Sequence, residues 1–247
     1  MVTFQIENSK LKNIELVCID KDGTVLTYDM YFPVMKKRAE ELVKRYNLPN
    51  ETKKDILEIM GLDSNEQIIM GGRIHMPRLE NIRATIDFLR KNSVNASFKE
   101  ISDLFNEIDE IVDLSKHTKV YPGIEMFLKT LKEKNVKIVM TTFDSTDAAK
   151  RHLKNSKLLE YFDLVLGIDE DSPYNPKPAP DMLQYSCKLL EVDPHRSVVI
   201  GDDNNDMLLA KNAGALAAIG VLTGRSKRED LKNADFIIDS INDIKIK

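Results

Sequence analysis

Short runs dominated by apolar residues recur along the chain at 14–19, 136–140, 163–166, 197–200, 216–221 and 236–238. Each has the length of a strand, and each is continuous rather than alternating, as strands covered on both faces require. Between them lie stretches with helical spacing of apolar positions, at 123–135, 144–155, 180–191 and 204–213. Strand and helix patterns in strict alternation predict an α/β fold: a doubly wound parallel sheet with helices on its faces.

Residues 20–135 separate the first apolar run from the second, far more than one strand-to-helix connection needs. Within them Met35, Ala39, Leu42, Val43 and Tyr46 share one helical face, Leu79, Ile82, Ile86 and Leu89 another, and Phe98, Ile101, Leu104, Phe105 and Ile108 a third. The expected organisation is a helical domain over residues 31–118, inserted into an α/β core made of residues 1–30 and 119–247.

Composition narrows the class. A chain of 247 residues with 42% hydrophobic content can bury a full core. Its longest apolar stretch, 213–222, is about half of what a bilayer span needs, and Glu7, Lys10 and Lys12 stand where a signal peptide would be apolar. A cytoplasmic protein is expected, without membrane partners. The 36 basic and 40 acidic residues are interspersed, and the longest basic run, Lys36 to Arg38, lies inside a helical pattern, so nucleic acid is not an expected partner. Cys18 and Cys187 lack the spacing of a metal or redox pair and read as reduced thiols. His75, His117, His152 and His195 show no paired metal-site spacing.

Open parallel sheets bind ligands beyond the carboxyl ends of their strands, so the residues after each apolar run carry the chemistry. The first run ends in Asp20-Lys21-Asp22-Gly23-Thr24 and the second in Thr141-Thr142. The third leads to Asn175-Pro176-Lys177-Pro178, and the fourth ends in Gly201-Asp202-Asp203-Asn204-Asn205-Asp206. Neither acidic cluster is a calcium-binding helix-loop-helix. Counted from Asp202, the sixth and twelfth positions are Met207 and Ala213; counted from Asp20 they are Val25 and Tyr31. Carboxylates brought together at one sheet edge repel one another and call for a cation, and hard oxygen donors favour Mg²⁺. Lys177 then offers a compact positive charge, and the Thr141 hydroxyl a hydrogen bond, to a phosphoryl group.

With these four motifs in this order, the chain outside the insert resembles the haloacid dehalogenase superfamily. Tyr121-Pro122-Gly123 and the tail from Leu222-Thr223-Gly224 to Ala234-Asp235 are similar to its phosphoglycolate phosphatase and β-phosphoglucomutase-like branch, which carries a helical cap where this insert lies. The resemblance implies a Rossmann-like core and a Mg²⁺-dependent phosphatase acting on a small phosphorylated metabolite, such as phosphoglycolate or a sugar phosphate. It implies Asp20 as nucleophile, Asp22 as acid and base, and Thr141 and Lys177 as further catalytic residues. Metal ligands would be Asp20, the Asp22 backbone carbonyl, Asp202 and Asp203, with Asp206 orienting its neighbours.

Lys21 makes the first motif similar to the phosphorylation site of P-type ATPases as well. Those pumps have Thr at the position of Asp22, and the chain has no spans to build a pump. A phosphosugar mutase on the same scaffold is the alternative activity, and a catalytically silent binding module the non-enzymatic one. Substrate contacts are expected from Thr142, and from Arg73 and Arg78 in the basic segment that follows Gly71-Gly72.

Overall fold

The computed structural model describes residues 1–63 and 78–247. Its strands are β1 (Val2–Ile6), β2 (Ser9–Ile14), β3 (Leu16–Asp20), β4 (Lys137–Thr141), β5 (Leu164–Leu166), β6 (Ser197–Gly201), β7 (Ala217–Val221), β8 (Phe236–Ile238) and β9 (Ile244–Ile246). Its α-helices are α1 (Tyr31–Arg45), α2 (Thr52–Met60), α3 (Arg78–Lys91), α4 (Phe98–Ile111), α5 (Ile124–Glu133), α6 (Thr146–Asn155), α7 (Asp181–Leu190) and α8 (Asn204–Ala213).

Six strands form a sheet in the order β5-β4-β3-β6-β7-β8, with every pair parallel. All five positions of β3, β6 and β7 are buried, which is why the strands are apolar apart from Ser197 and the strand-end Asp20. The chain runs outward from β3 to β4 and β5, then returns to β6 on the other side of β3. That reversal opens a crevice at the carboxyl end of β3, the ordinary ligand position of a doubly wound sheet. Register puts Asp20 opposite Thr141 and Ile19 opposite Ile200, so the last residues of β3, β4 and β6 end at one level.

A second, antiparallel sheet in the order β2-β1-β9 joins the two ends of the chain. In β1 the buried Val2, Phe4 and Ile6 alternate with half-buried Thr3 and Gln5, and Phe4 packs on Phe127 of α5 with ring centroids 5.8 Å apart. The apolar-run reading did not include this sheet. Its strands are short and alternate with polar residues, a signal distinct from that of the buried parallel strands.

The described residues divide into two compact units, Met1–Thr27 with Thr118–Lys247, and Tyr28–His117. The second is helical. Its α4 opens on a capping box in which Ser97 accepts from the Glu100 backbone N–H while Glu100 accepts from that of Ser97. Inside this unit the Asp109 carboxylate accepts from Arg38 at 2.5 Å and from Arg78 at 2.6 Å, and Arg78 also donates to Asn106. Arg38 lies over the Phe105 ring at 4.2 Å. Two guanidinium groups on one buried carboxylate tie α1, α3 and α4 together. Among the described residues no helix is long and apolar enough to cross a membrane.

Candidate active site

Asp20 closes β3, and its Oδ1 accepts from Lys177 Nζ at 2.5 Å. The same ammonium donates to Asp206 Oδ1 at 2.6 Å and lies 3.4 Å from the Thr141 carbonyl oxygen, 5.1 Å from the centroid of the Phe143 ring. Lys177 is thus held at the junction of three chain segments. Burial pushes its pKa down, but the Asp20 and Asp206 carboxylates outweigh burial and hold the ammonium well above the ordinary lysine range.

Asp202 and Asp203 follow β6. Gly201 must be glycine here, because a Cβ would lie 2.3 Å from Asp206 Cγ, and Gly224 likewise, because a Cβ would lie 1.9 Å from Asp202 Oδ2. Asp20, Asp202 and Asp206 are all buried, with carboxylate oxygens within 4.8 Å of one another. Asp206 Oδ2 is buried and makes no hydrogen bond. Burial raises the pKa of Asp202 to about 7; the charge of Asp20 adds to this, and the backbone N–H and guanidinium of Arg225 oppose it. Asp206 is raised well above the ordinary range, by burial first and by Asp20 and Asp202 after it, against the pull of Lys177. Three buried carboxyl groups drawn together, one of them with an oxygen that makes no hydrogen bond, are the donor set that a hard divalent cation fits.

Asp203 faces elsewhere. It caps α8 by accepting from the Asn205 N–H at 2.9 Å, and its other oxygen is paired with the Arg225 guanidinium. Burial would raise its pKa, but Arg225 and the Asn205 N–H hold it below the carboxylate norm. Among the described residues the acidic cluster therefore consists of Asp20, Asp202 and Asp206, whereas the resemblance implied Asp203 as a further metal partner and Asp206 as a residue that orients its neighbours.

Asp22 is half-buried, with Oδ1 accepting from Lys21 Nζ at 2.7 Å. Burial raises its pKa to about 6; Lys21 opposes the rise, and the charges of Asp20 and Asp144 add to it. The Thr141 hydroxyl lies 3.4 Å from Cys18 Sγ, beneath the strand ends, while its carbonyl faces Lys177. Thr142 Oγ1 accepts from the Asp144 N–H at 3.2 Å, so its own proton points to another acceptor. Arg78 is engaged with Asp109 and Asn106 in the helical unit. Arg73 lies outside the described residues. Arg225 and Asp144 were not singled out in the sequence, and His152 was noted there only for lacking metal-site spacing; the nearness of Arg225 to the Thr223-Gly224 turn is its one mark in the sequence.

The haloacid dehalogenase-like hydrolase family model matches residues 14–214. Among curated relatives, a pyrophosphatase PpaX of Bacillus anthracis is 27% identical over 234 residues, covering 94% of each chain. A PpaX of Bacillus cereus is likewise 27% identical over 234 residues, with 94% of each chain covered. Among solved structures, a predicted phosphoglycolate phosphatase from Haemophilus somnus superposes with a TM-score of 0.67 at 20% identity, over 93% of this chain and 96% of that one. A HAD phosphatase from Thermococcus onnurineus gives 0.64 at 21% identity, over 93% and 95%.

Proposed function

The chain belongs to the haloacid dehalogenase-like hydrolase family, and on that premise we propose that it is a Mg²⁺-dependent phosphatase of small phosphomonoesters. The observation that carries the reading is Lys177, whose ammonium bridges Asp20 and Asp206 beside the buried Asp202. An ammonium there pairs with the nucleophile in the resting enzyme and meets the phosphoryl oxygens when substrate arrives.

An Asp20 carboxylate oxygen attacks phosphorus as the bond to the leaving oxygen breaks, and protonated Asp22 gives that oxygen its proton. Asp22, now ionised, takes a proton from water. The water oxygen bonds to phosphorus, the Asp20–phosphorus bond breaks, and phosphate leaves with both carboxyl groups restored. The Thr142 hydroxyl, anchored by the Asp144 N–H, donates to a phosphoryl oxygen; this role suits it better than Thr141, whose hydroxyl lies against Cys18. Asp20, Asp202 and Asp206, with the Asp22 backbone carbonyl, would hold Mg²⁺, and Arg225 would fix Asp202 through its backbone N–H and Asp203 through its guanidinium. When bound, Mg²⁺ supplies positive charge against the phosphoryl oxygens. The helical unit is proposed as the cap that selects the substrate, Arg73 included.

The relatives named pyrophosphatases and the neighbour named for phosphoglycolate define a panel: phosphoglycolate, sugar phosphates and inorganic pyrophosphate, each with and without Mg²⁺. Expected is phosphate release from at least one phosphomonoester that requires the ion, with one phosphate freed per substrate consumed. Asp20→Asn and Asp202→Ala should abolish it. Full turnover by metal-free protein or by Asp20→Asn would overturn the reading, and substrate loss with little free phosphate would point to a mutase.

A further inference from the structure

Lys21 is 0% exposed and ranks with Phe4 and Phe105 among the largest side chains that the fold encloses completely. Burying an ammonium costs several kcal/mol unless it is paired and hydrogen-bonded, and an apolar chain of similar length would fill the same space without that cost. The partners show what the charge serves. Lys21 Nζ donates to Asp22 Oδ1 at 2.7 Å and lies 3.3 Å from His152 Nδ1 and 3.5 Å from Asp144 Oδ2. Asp144 Oδ2 and His152 Nδ1 are themselves 3.5 Å apart. Asp144 sits between β4 and α6, and His152 lies in α6 with 5% exposure. The ammonium therefore meets two groups of the β4–α6 segment and Asp22 at once. The site contains two such lysines: Lys177 meets Asp20, and Lys21 meets Asp22.

We infer that Lys21 is a positioning residue for Asp22: anchored by Asp144 and His152, it fixes the Asp22 carboxyl group in the orientation that proton transfer to the leaving oxygen needs. The inference rests on the proposed role of Asp22 as acid and base. Lys21 has no solvent-facing surface, so it acts on the reaction through the groups it holds, Asp22 foremost. An oxygen accepting from an ammonium is poorly suited to carry the acid's proton, which assigns Oδ1 to anchoring and Oδ2 to transfer. Without the ammonium the carboxyl group loses this anchor, and fewer encounters present the proton to the leaving oxygen.

The readout is the leaving group. A nitrophenolate departs without a proton, whereas an alkoxide does not. The Mg²⁺-loaded enzyme is compared with Lys21→Met, Lys21→Met/Asp144→Asn and Asp22→Asn on glycerol 2-phosphate and on p-nitrophenyl phosphate. Folding is checked by circular dichroism. Lys21→Met should lower kcat/KM for the alkyl ester by about 10²-fold, the usual size of an acid-catalysis contribution. The burst rate with p-nitrophenyl phosphate should change only a few-fold, and KM little. The double variant removes the ammonium together with one of its carboxylates and so strands less charge; it should give the same split, and it decides the matter if the single variant does not fold. Equal losses on both donors, no loss, or collapse of both variants would overturn the inference and make Lys21 a structural residue. Asp22→Asn separates the two levels. If it shows no split, the acid role of Asp22 fails. If it shows the split and the folded Lys21 variants do not, only Lys21 falls.

Discussion

In the proposed metal site, protons and Mg²⁺ would compete for the same oxygens at Asp202. Its carboxyl group sits at about 7 in the metal-free protein, against 3.8 unperturbed, because burial favours the neutral form. A folded-state pKa above the unfolded one contributes stability that is full below about pH 4 and is lost as pH rises toward 7. The metal makes the opposite demand, since it binds the ionised carboxylate. Mg²⁺ affinity should therefore rise as pH climbs through about 7, with protons released on binding near pH 6. Calorimetry in two buffers of different ionisation enthalpy measures that release, and an affinity independent of pH over this window would contradict it. At this scale Asp20, Asp22, Lys177 and Asp202 were legible as polar residues at strand ends. The different surroundings of Asp203 and Asp206 were not. One caps α8 and the other stands in its first turn against Gly201, a distinction that depends on where the helix begins. The partners of Lys21 were equally hidden, since Asp144 and His152 meet it only through tertiary packing.

Among the elements, the turn around Gly224 has the sharpest steric role. Asp202 Oδ2 occupies the place a Cβ would take and accepts there from the Arg225 N–H at 3.0 Å. Gly224→Ala should displace that carboxylate and weaken Mg²⁺ binding by roughly 10- to 100-fold, as loss of ligand support does. Mg²⁺ titration of the folded variant tests this, and wild-type affinity would refute it. The buried parallel strands and the helices between them could be read from continuous apolar runs. The β2-β1-β9 sheet could not be read that way, because β9 spans only Ile244–Ile246 and finds its partner at the opposite end of the chain. Arg78 shows a similar limit. A guanidinium near glycines suggested a substrate contact, yet its partner is Asp109, which the sequence places 31 residues away.

For the whole molecule, alternating strand and helix patterns were sufficient to indicate a doubly wound sheet, and the order β5-β4-β3-β6-β7-β8 adds what pattern alone does not supply: which strands flank β3. That order has a consequence in time. Asp20 pairs across β3 and β4 with Thr141, and its contact with Lys177 closes over 157 residues of chain. Parallel pairings between distant segments form slowly, whereas helices form from local contacts. On refolding from denaturant, far-UV ellipticity should recover ahead of phosphatase activity, and stopped-flow dichroism set beside activity regain would show whether the two instead return together. During synthesis the same geometry makes the catalytic centre a late event. Asp20, the proposed nucleophile, leaves the ribosome ahead of its partners, and it has no complete acidic cluster to join until β6 and the first turn of α8 have followed it out, so a nascent chain that ends before Asp206 holds Asp20 without the rest of the cluster.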